Sequence, residues 1–238
     1  MRTNYTEAFR DDRELGAPRT FSAHVGARQR EWLRAFTEAA FAWPPVHHDF
    51  ACGTGRVLRM LDGLTSAAHG YDISEAKLAE AREIGVPADL HVVRATGPLP
   101  STMDIDVPAL VTVFRLLLDA PPELRERAME FAAGMLPTSD SGLLVVENHG
   151  NASSLRGIGR SAGGVEDGAG LSHDEVGELF DRWGFELLTR QGFSLLTQGF
   201  YRVAPVRWLV PGLDSWASRR SFLAGRATDL LYVARRRH

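Results

Sequence analysis

One cysteine, Cys52, stands in the whole chain of 238 residues, so no intrachain disulfide can form and a small scaffold stapled by disulfides is excluded. No run comes near the roughly 18 consecutive apolar residues that a membrane-crossing helix needs, so no membrane partner is expected. The opening MRTNYTEAFRDDREL has neither the apolar core of a signal peptide nor the acid-poor character of a transit peptide, which makes a reducing cytoplasm the expected location. An excess of either charge is also missing: 27 Lys and Arg face 30 Asp and Glu, for a net charge of -3. No basic field covers the chain to neutralise phosphates, and nucleic acid is not an expected partner. His47 and His48 are adjacent and would face opposite ways on a strand, and the sequence shows neither a Cys/His cluster nor an evident carboxylate trio, so no metal is expected.

What is present is a hydrophobic content of 44%, ample for a large core, distributed in alternating helical and strand-like segments. From about Ala27 to Trp43, the residues Trp32, Leu33, Phe36, Ala39, Ala40 and Trp43 recur at a spacing of three and four, which predicts a helix with one buried stripe. Pro44 and Pro45 end it. Strand candidates follow at Val46 to Ala51, His69 to Ile73, Asp89 to Val93, Ala109 to Leu117, LLVVEN after Gly142, Phe185 to Arg190, and Asp229 to Arg235. Between them lie helix candidates at Arg56 to Leu64, after Ser74, in PPELRERAMEFAAGML and in HDEVGELFDRWG. This alternation argues for an α/β fold with a doubly wound parallel sheet. The Gly- and Ser-rich segment from Gly150 to Gly170 reads as a loop, and Gly192 to Arg226 as an insertion before the last strand.

The sharpest local signal is VHHDFACGTGRVL. Gly53 and Gly55 sit between a strand and a helix, where a missing Cβ lets backbone approach a ligand. A dinucleotide fingerprint would need a third glycine where Leu58 stands, and no Gly-Lys-Ser/Thr tripeptide supports a phosphate-cradling loop. An adenosyl ligand without phosphates remains, provided an acid at the end of the next strand can hold ribose hydroxyls. Asp72, ending GYD about 20 residues after Gly53, is in register for that role.

DFACGTGR, GYDIS, VTVFRLLLDAPPELRERAMEFAAGML and LLVVENHGN together resemble the class I methyltransferases that use S-adenosyl-L-methionine. The resemblance is clearest from Ala42 to Asn151. It implies a Rossmann-like, doubly wound seven-stranded sheet with its last strand antiparallel, an N-terminal helical segment and an insertion before the last strand. It also implies one domain over residues 1–238: a helical lid at 1–43, a cofactor-binding core at 44–149, and the substrate loop, insertion and closing strands at 150–238. Carried over by position, Asp49 lies near the cofactor amino group, Ala51, Gly53 and Gly55 near its methionine portion, Asp72 on the ribose, and Ile73 beside the adenine. Many members have an acidic or polar residue after the third strand to meet the adenine. Here the chain reads VVRATGPLP, so that role passes to Thr96 or to the backbone at Arg94 and Ala95. Phe114 and Arg28 complete the expected cofactor shell.

Methyl transfer from a sulfonium is an in-line displacement in which positioning supplies much of the catalysis, so no fixed triad is expected. His149, at the end of a central strand, is the candidate base for a hydroxyl or amine acceptor. Arg115 could clamp a carboxylate, while Tyr201, with Phe193, Phe200, Trp208 and Trp216, offers aromatic lining for an acceptor pocket. The expected acceptor is a small molecule or short peptide in specialised metabolism, and the expected state is a monomer or homodimer. The rival reading is a fold that binds the same cofactor in a non-methylating catalytic or regulatory role.

Overall fold

The computed structural model describes residues 21–102, 107–118, 120–154, 171–195, 212, 214, 216 and 225–237. Five helices are described: α1 (Phe21–Ala40), α2 (Arg56–Met60), α3 (Glu75–Glu83), α4 (Pro122–Met135) and α5 (His173–Arg182). Seven strands, β1 (Val46–Phe50), β2 (Ala67–Asp72), β3 (Asp89–Val92), β4 (Ala109–Val113), β5 (Gly142–His149), β6 (Phe185–Ser194) and β7 (Asp229–Arg236), form one sheet in the order β3-β2-β1-β4-β5-β7-β6. The first five pair in parallel, and β7 runs antiparallel to both β5 and β6. This is the expected α/β architecture, including the antiparallel last strand.

Both faces of the sheet are covered, which is why β4 is apolar at every position but Thr112. Alternation splits its residues between two layers: Ala109, Val111 and Val113 face Phe131 and Met135 of α4, while Leu110 faces Leu33 of α1 and Val57 of α2. Helix α3 closes a smaller cluster of Leu78, Ala81, Leu58 and Cys52. Ser74 caps α3 and Ser172 caps α5 through side-chain acceptors, the latter in a full capping box with Glu175.

Several element limits differ from the sequence reading, each for a local reason. Helix α1 stops at Ala40, so Ala39 and Ala40 are exposed and Trp43, expected in the buried stripe, is 78% exposed. The buried side keeps the expected Leu33, adds Val25 and Thr37, and is flanked by the stacked Trp32–Phe36 pair. Strand β4 ends at Val113 because Arg115 takes a left-handed conformation (φ 53), leaving Leu117 buried beyond the strand. Strand β6 runs on to Ser194, so Phe193 is a core residue, edge-on to Trp32 and 1% exposed, rather than acceptor-pocket lining.

Gly142 starts β5 where no side chain fits: a Cβ there would lie 1.8 Å from the Ala109 carbonyl oxygen, at a φ of 138. Gly142→Ala must part β4 from β5 at the centre of the sheet. A loss of stability on the order of 3 kcal/mol or more is expected, read as a large fall in melting temperature. A near-native melt would contradict the register.

Strand order reverses between β1 and β4, whose carboxyl ends open a crevice of the kind in which doubly wound sheets bind ligands. Every strong candidate residue among those described lies near that edge.

Candidate functional site

The chain leaves β1 through a tight turn in which Ala51 (φ 59), Gly53 (φ 56) and Gly55 (φ 78) are all left-handed. Ala51 is one of two non-glycine residues with positive φ among those described, and the other is Arg115 at the end of β4. Both strained positions therefore flank the crevice, where stored strain is characteristic of binding sites. The two glycines have different reasons to be glycine. A Cβ on Gly53 would meet nothing nearer than Lys77 Cδ at 3.9 Å, so its open side faces free space. A Cβ on Gly55 would strike Val86 at 2.7 Å, so Gly55 serves helix packing as well as the turn.

Asp72 holds the turn from the end of β2. Its Oδ2 accepts from Gly53 N–H at 2.8 Å and its Oδ1 from Ser74 N–H at 2.8 Å, and the residue is 5% exposed. Each oxygen keeps a lone pair for a further donor. The sequence spacing thus brings Gly53 and Asp72 into direct contact. Ile73 beside them is 56% exposed, an apolar surface open at the crevice.

Asp49 lies beneath, 1% exposed. The Thr112 hydroxyl donates to its Oδ1 at 2.6 Å and meets His47 Nε2 at 2.8 Å. Since the hydroxyl gives its only proton to Asp49, it accepts from Nε2–H, leaving His47 Nδ1 bare and without a partner among the described residues. Burial holds His47 neutral, its pKa lowered to about 3, and pushes Asp49 up to about 7. Asp49 Oδ2 is buried with no hydrogen-bond partner among the described residues. A lone buried carboxylate oxygen is costly unless a donor or cation completes it.

On the far side of the crevice, Glu147 of β5 is 1% exposed. It accepts from Gln29 Nε2 at 2.5 Å and from Arg115 N–H at 3.0 Å, and Arg56 in turn donates to Gln29. This chain of bonds fixes α1, the start of α2 and the end of β4 against β5. His149, two residues on, contacts Asp229 of β7 through Nδ1, a pairing set by the β5–β7 register. Ligand-type atoms of Glu147, His149 and Asp229 all lie within 4.8 Å of one another. Sequence reading misses this trio because Asp229 is 80 residues from His149. Both Glu147 oxygens already accept N–H groups and Nδ1 faces Asp229, an arrangement better suited to handling a proton than to gathering a cation.

The remaining candidates divide. Arg28 is 8% exposed and donates to the Phe193 carbonyl at 2.5 Å, with its guanidinium over the Phe193 ring. Phe114 is buried in the α1 layer. Ala95 and Thr96 are exposed after β3, on a segment that Arg127 of α4 secures through the carbonyls of Arg94 (3.0 Å) and Gly97 (2.8 Å). Phe200, Tyr201, Trp208 and residues 155–170 lie outside the described residues. Gln29, Thr112, Arg127, Glu147 and Asp229 are the site residues that sequence reasoning missed. Only Glu147 carried a local signal, an acid inside an apolar strand.

No family model and no curated protein matches the chain. Solved structures do share its fold. A putative methyltransferase from Haloferax volcanii, in complex with the Trm112 methyltransferase activator, is 20% identical at a TM-score of 0.57, over 92% of this chain and 95% of that one. Magnesium protoporphyrin IX methyltransferase (ChlM) from Synechocystis PCC 6803, with bound SAH, is 16% identical at a TM-score of 0.57, over 91% and 88%. The [4+2]-cyclase SpnF is 19% identical at 0.54, over 90% and 82%. The fold is that of the class I S-adenosylmethionine-dependent methyltransferases.

Proposed function

We propose that the protein is a methyltransferase that binds S-adenosyl-L-methionine at the β1–β4 crevice and passes its methyl group to a small molecule or short peptide. The observation that carries this reading is the contact between Asp72 and the open Gly53 turn at the point where strand order reverses. In this arrangement Asp72 accepts the ribose hydroxyls, Ile73 lies along the adenine, and the N–H groups and exposed side chains of the Ala95–Thr96 segment meet its edge. The unpartnered Asp49 Oδ2 suits the ammonium of the methionine portion. When bound, the cofactor supplies an electrophilic methyl on a sulfonium. The protein's part is to hold the acceptor in line with it and keep water out. The near-neutral charge supports a partner other than nucleic acid, no described helix is long and apolar enough to cross a membrane, and a cytoplasmic role in specialised metabolism, as monomer or homodimer, fits these features.

Asp49 gives the reading a pH signature. Its carboxyl is pushed up to about 7 by burial, and an ammonium against Oδ2 favours the ionised form. Below about pH 7 the ligand-free protein holds a proton that binding must expel, so affinity rises as pH approaches that value. It falls again above about pH 8, where the ligand's own α-amino group loses its charge. Calorimetry in buffers of different ionisation heat should record proton release on the acid side. Affinity and proton balance that do not change with pH would remove Asp49 from the cofactor.

A [4+2]-cyclase shares the fold, which favours keeping a non-methylating role as the second reading. Product analysis separates the two. Methyl transfer must form one S-adenosylhomocysteine for each acceptor methylated, whereas conversion of an acceptor with the cofactor left intact would establish the rival.

A further inference from the structure

Resting on the methyl-transfer reading, we infer that Asp229 is the positioning residue of a His149–Asp229 proton-accepting pair, and that the acceptor presents a hydroxyl. Asp229 opens β7 opposite His149 in the β5–β7 register and is 1% exposed, so its carboxylate is held by the sheet itself. Its Oδ1 meets His149 Nδ1, and its Oδ2 has no partner among the described residues. A carboxylate can only accept, so Nδ1 carries the proton and Nε2 of the neutral ring keeps its lone pair. The His149 side chain is 45% exposed while Asp229, which takes its Nδ1, is 1% exposed, so the ring's open side is the one turned away from Asp229. The Asp229 hydrogen bond also raises the His149 pKa above its ordinary value, against the opposing effect of burial.

The surrounding charges choose among acceptors. Glu147 and Asp229 place two buried carboxylates beside His149, and the Arg115 cation opposes them with the smaller effect, so a carboxylate acceptor, which has no proton to lose, would meet net repulsion. The same net negative field favours the protonated form of an amine, which has no lone pair with which to attack. A neutral hydroxyl keeps a lone pair for the methyl carbon while its O–H points to Nε2. In the step, the O–CH3 bond forms as the S–CH3 bond breaks with its electron pair left on sulfur. The hydroxyl proton passes to Nε2, and the resulting imidazolium is balanced by Asp229. Atoms and charge balance with no further reactant.

The pair can be tested on the full chain labelled with 15N-histidine and saturated with S-adenosylhomocysteine, His149 being assigned by His149→Gln. Neutral His149 is expected to be protonated on Nδ1 and to titrate above its ordinary value. Asp229→Asn should lower that titration by about one pH unit or more while cofactor affinity by calorimetry stays within about twofold. Neutral His149 protonated on Nε2, or an unchanged titration in Asp229→Asn, overturns the pair. A merely structural Asp229 would shift the melt and not the tautomer. Loss of cofactor binding in the wild type would instead count against the methyl-transfer reading. For the acceptor, phenols, sugars and aliphatic alcohols are compared with matched amines and carboxylic acids by release of S-adenosylhomocysteine. Release confined to hydroxyl probes, with a rate rising through the His149 titration and about a hundredfold lower in Asp229→Asn, supports the assignment. Turnover of amine or acid probes, or of no hydroxyl probe, overturns it.

Discussion

Gly53→Val should leave the protein folded and weaken S-adenosylmethionine binding by about a hundredfold or more, a change of roughly 2.7 kcal/mol. The fold survives because a Cβ at this position meets no protein atom closer than Lys77 Cδ at 3.9 Å. The cost to the backbone is that of a branched L-residue at φ 56, on the order of 1 to 2 kcal/mol, within the stability margin of an ordinary domain. The ligand does not survive, because the new side chain occupies the open space that makes the turn approachable. Gly53→Ala should fall between the two. Gly55→Ala should behave in the opposite way, losing stability to the Val86 contact before it loses ligand. Calorimetry and thermal melts on the same samples decide. A folded Gly53→Val protein with unchanged affinity takes the turn out of the site.

Asp72→Ala should lower affinity by about a hundredfold or more and lower the melting temperature modestly. Two ribose hydrogen bonds to a charged acceptor contribute on the order of 1.5 to 3 kcal/mol each, which sets the size of the affinity loss. The modest effect on stability follows from the bonds to Gly53 and Ser74, whose N–H groups sit near water once the carboxylate is gone. Asp72 is therefore both a ligand acceptor and the brace of the turn. A cycle with a ribose-deoxygenated cofactor analogue separates the roles. If the carboxylate binds ribose, removing the hydroxyls weakens the wild type and makes little difference to Asp72→Ala. Equal penalties in both proteins would leave Asp72 as a brace alone.

The contrast between what was and was not legible in the sequence follows from the range of each signal. Gly53 and Asp72 were readable because a strand-turn-helix-strand unit fixes the distance between them, and the fold brings Gly53 N–H to 2.8 Å from the Asp72 carboxylate. The sheet was readable because β4 and β5 are apolar enough to demand cover on both faces. The limits of α1 were not, because the burial of Val25 and Thr37 and the exposure of Trp43 depend on how the helix meets β6, far along the chain. Phe193 looked like pocket lining for the same reason: its place in the core depends on β6 extending along β7. Asp229 was invisible as a partner of His149 because antiparallel pairing joins β5 to β7 across the whole C-terminal part of the chain.

Titration of S-adenosylmethionine into the full-length chain, followed by calorimetry between about pH 7 and about pH 8, tests the central claim most directly, since both Asp49 and the ligand ammonium are then charged. The account predicts saturation at one site with a dissociation constant between micromolar and sub-millimolar, roughly 5 to 8 kcal/mol of binding. S-adenosylhomocysteine should compete for that site, and Gly53→Val should abolish the signal. No saturable binding to a folded wild-type protein, or binding that Gly53→Val and Asp72→Ala both leave intact, would contradict it.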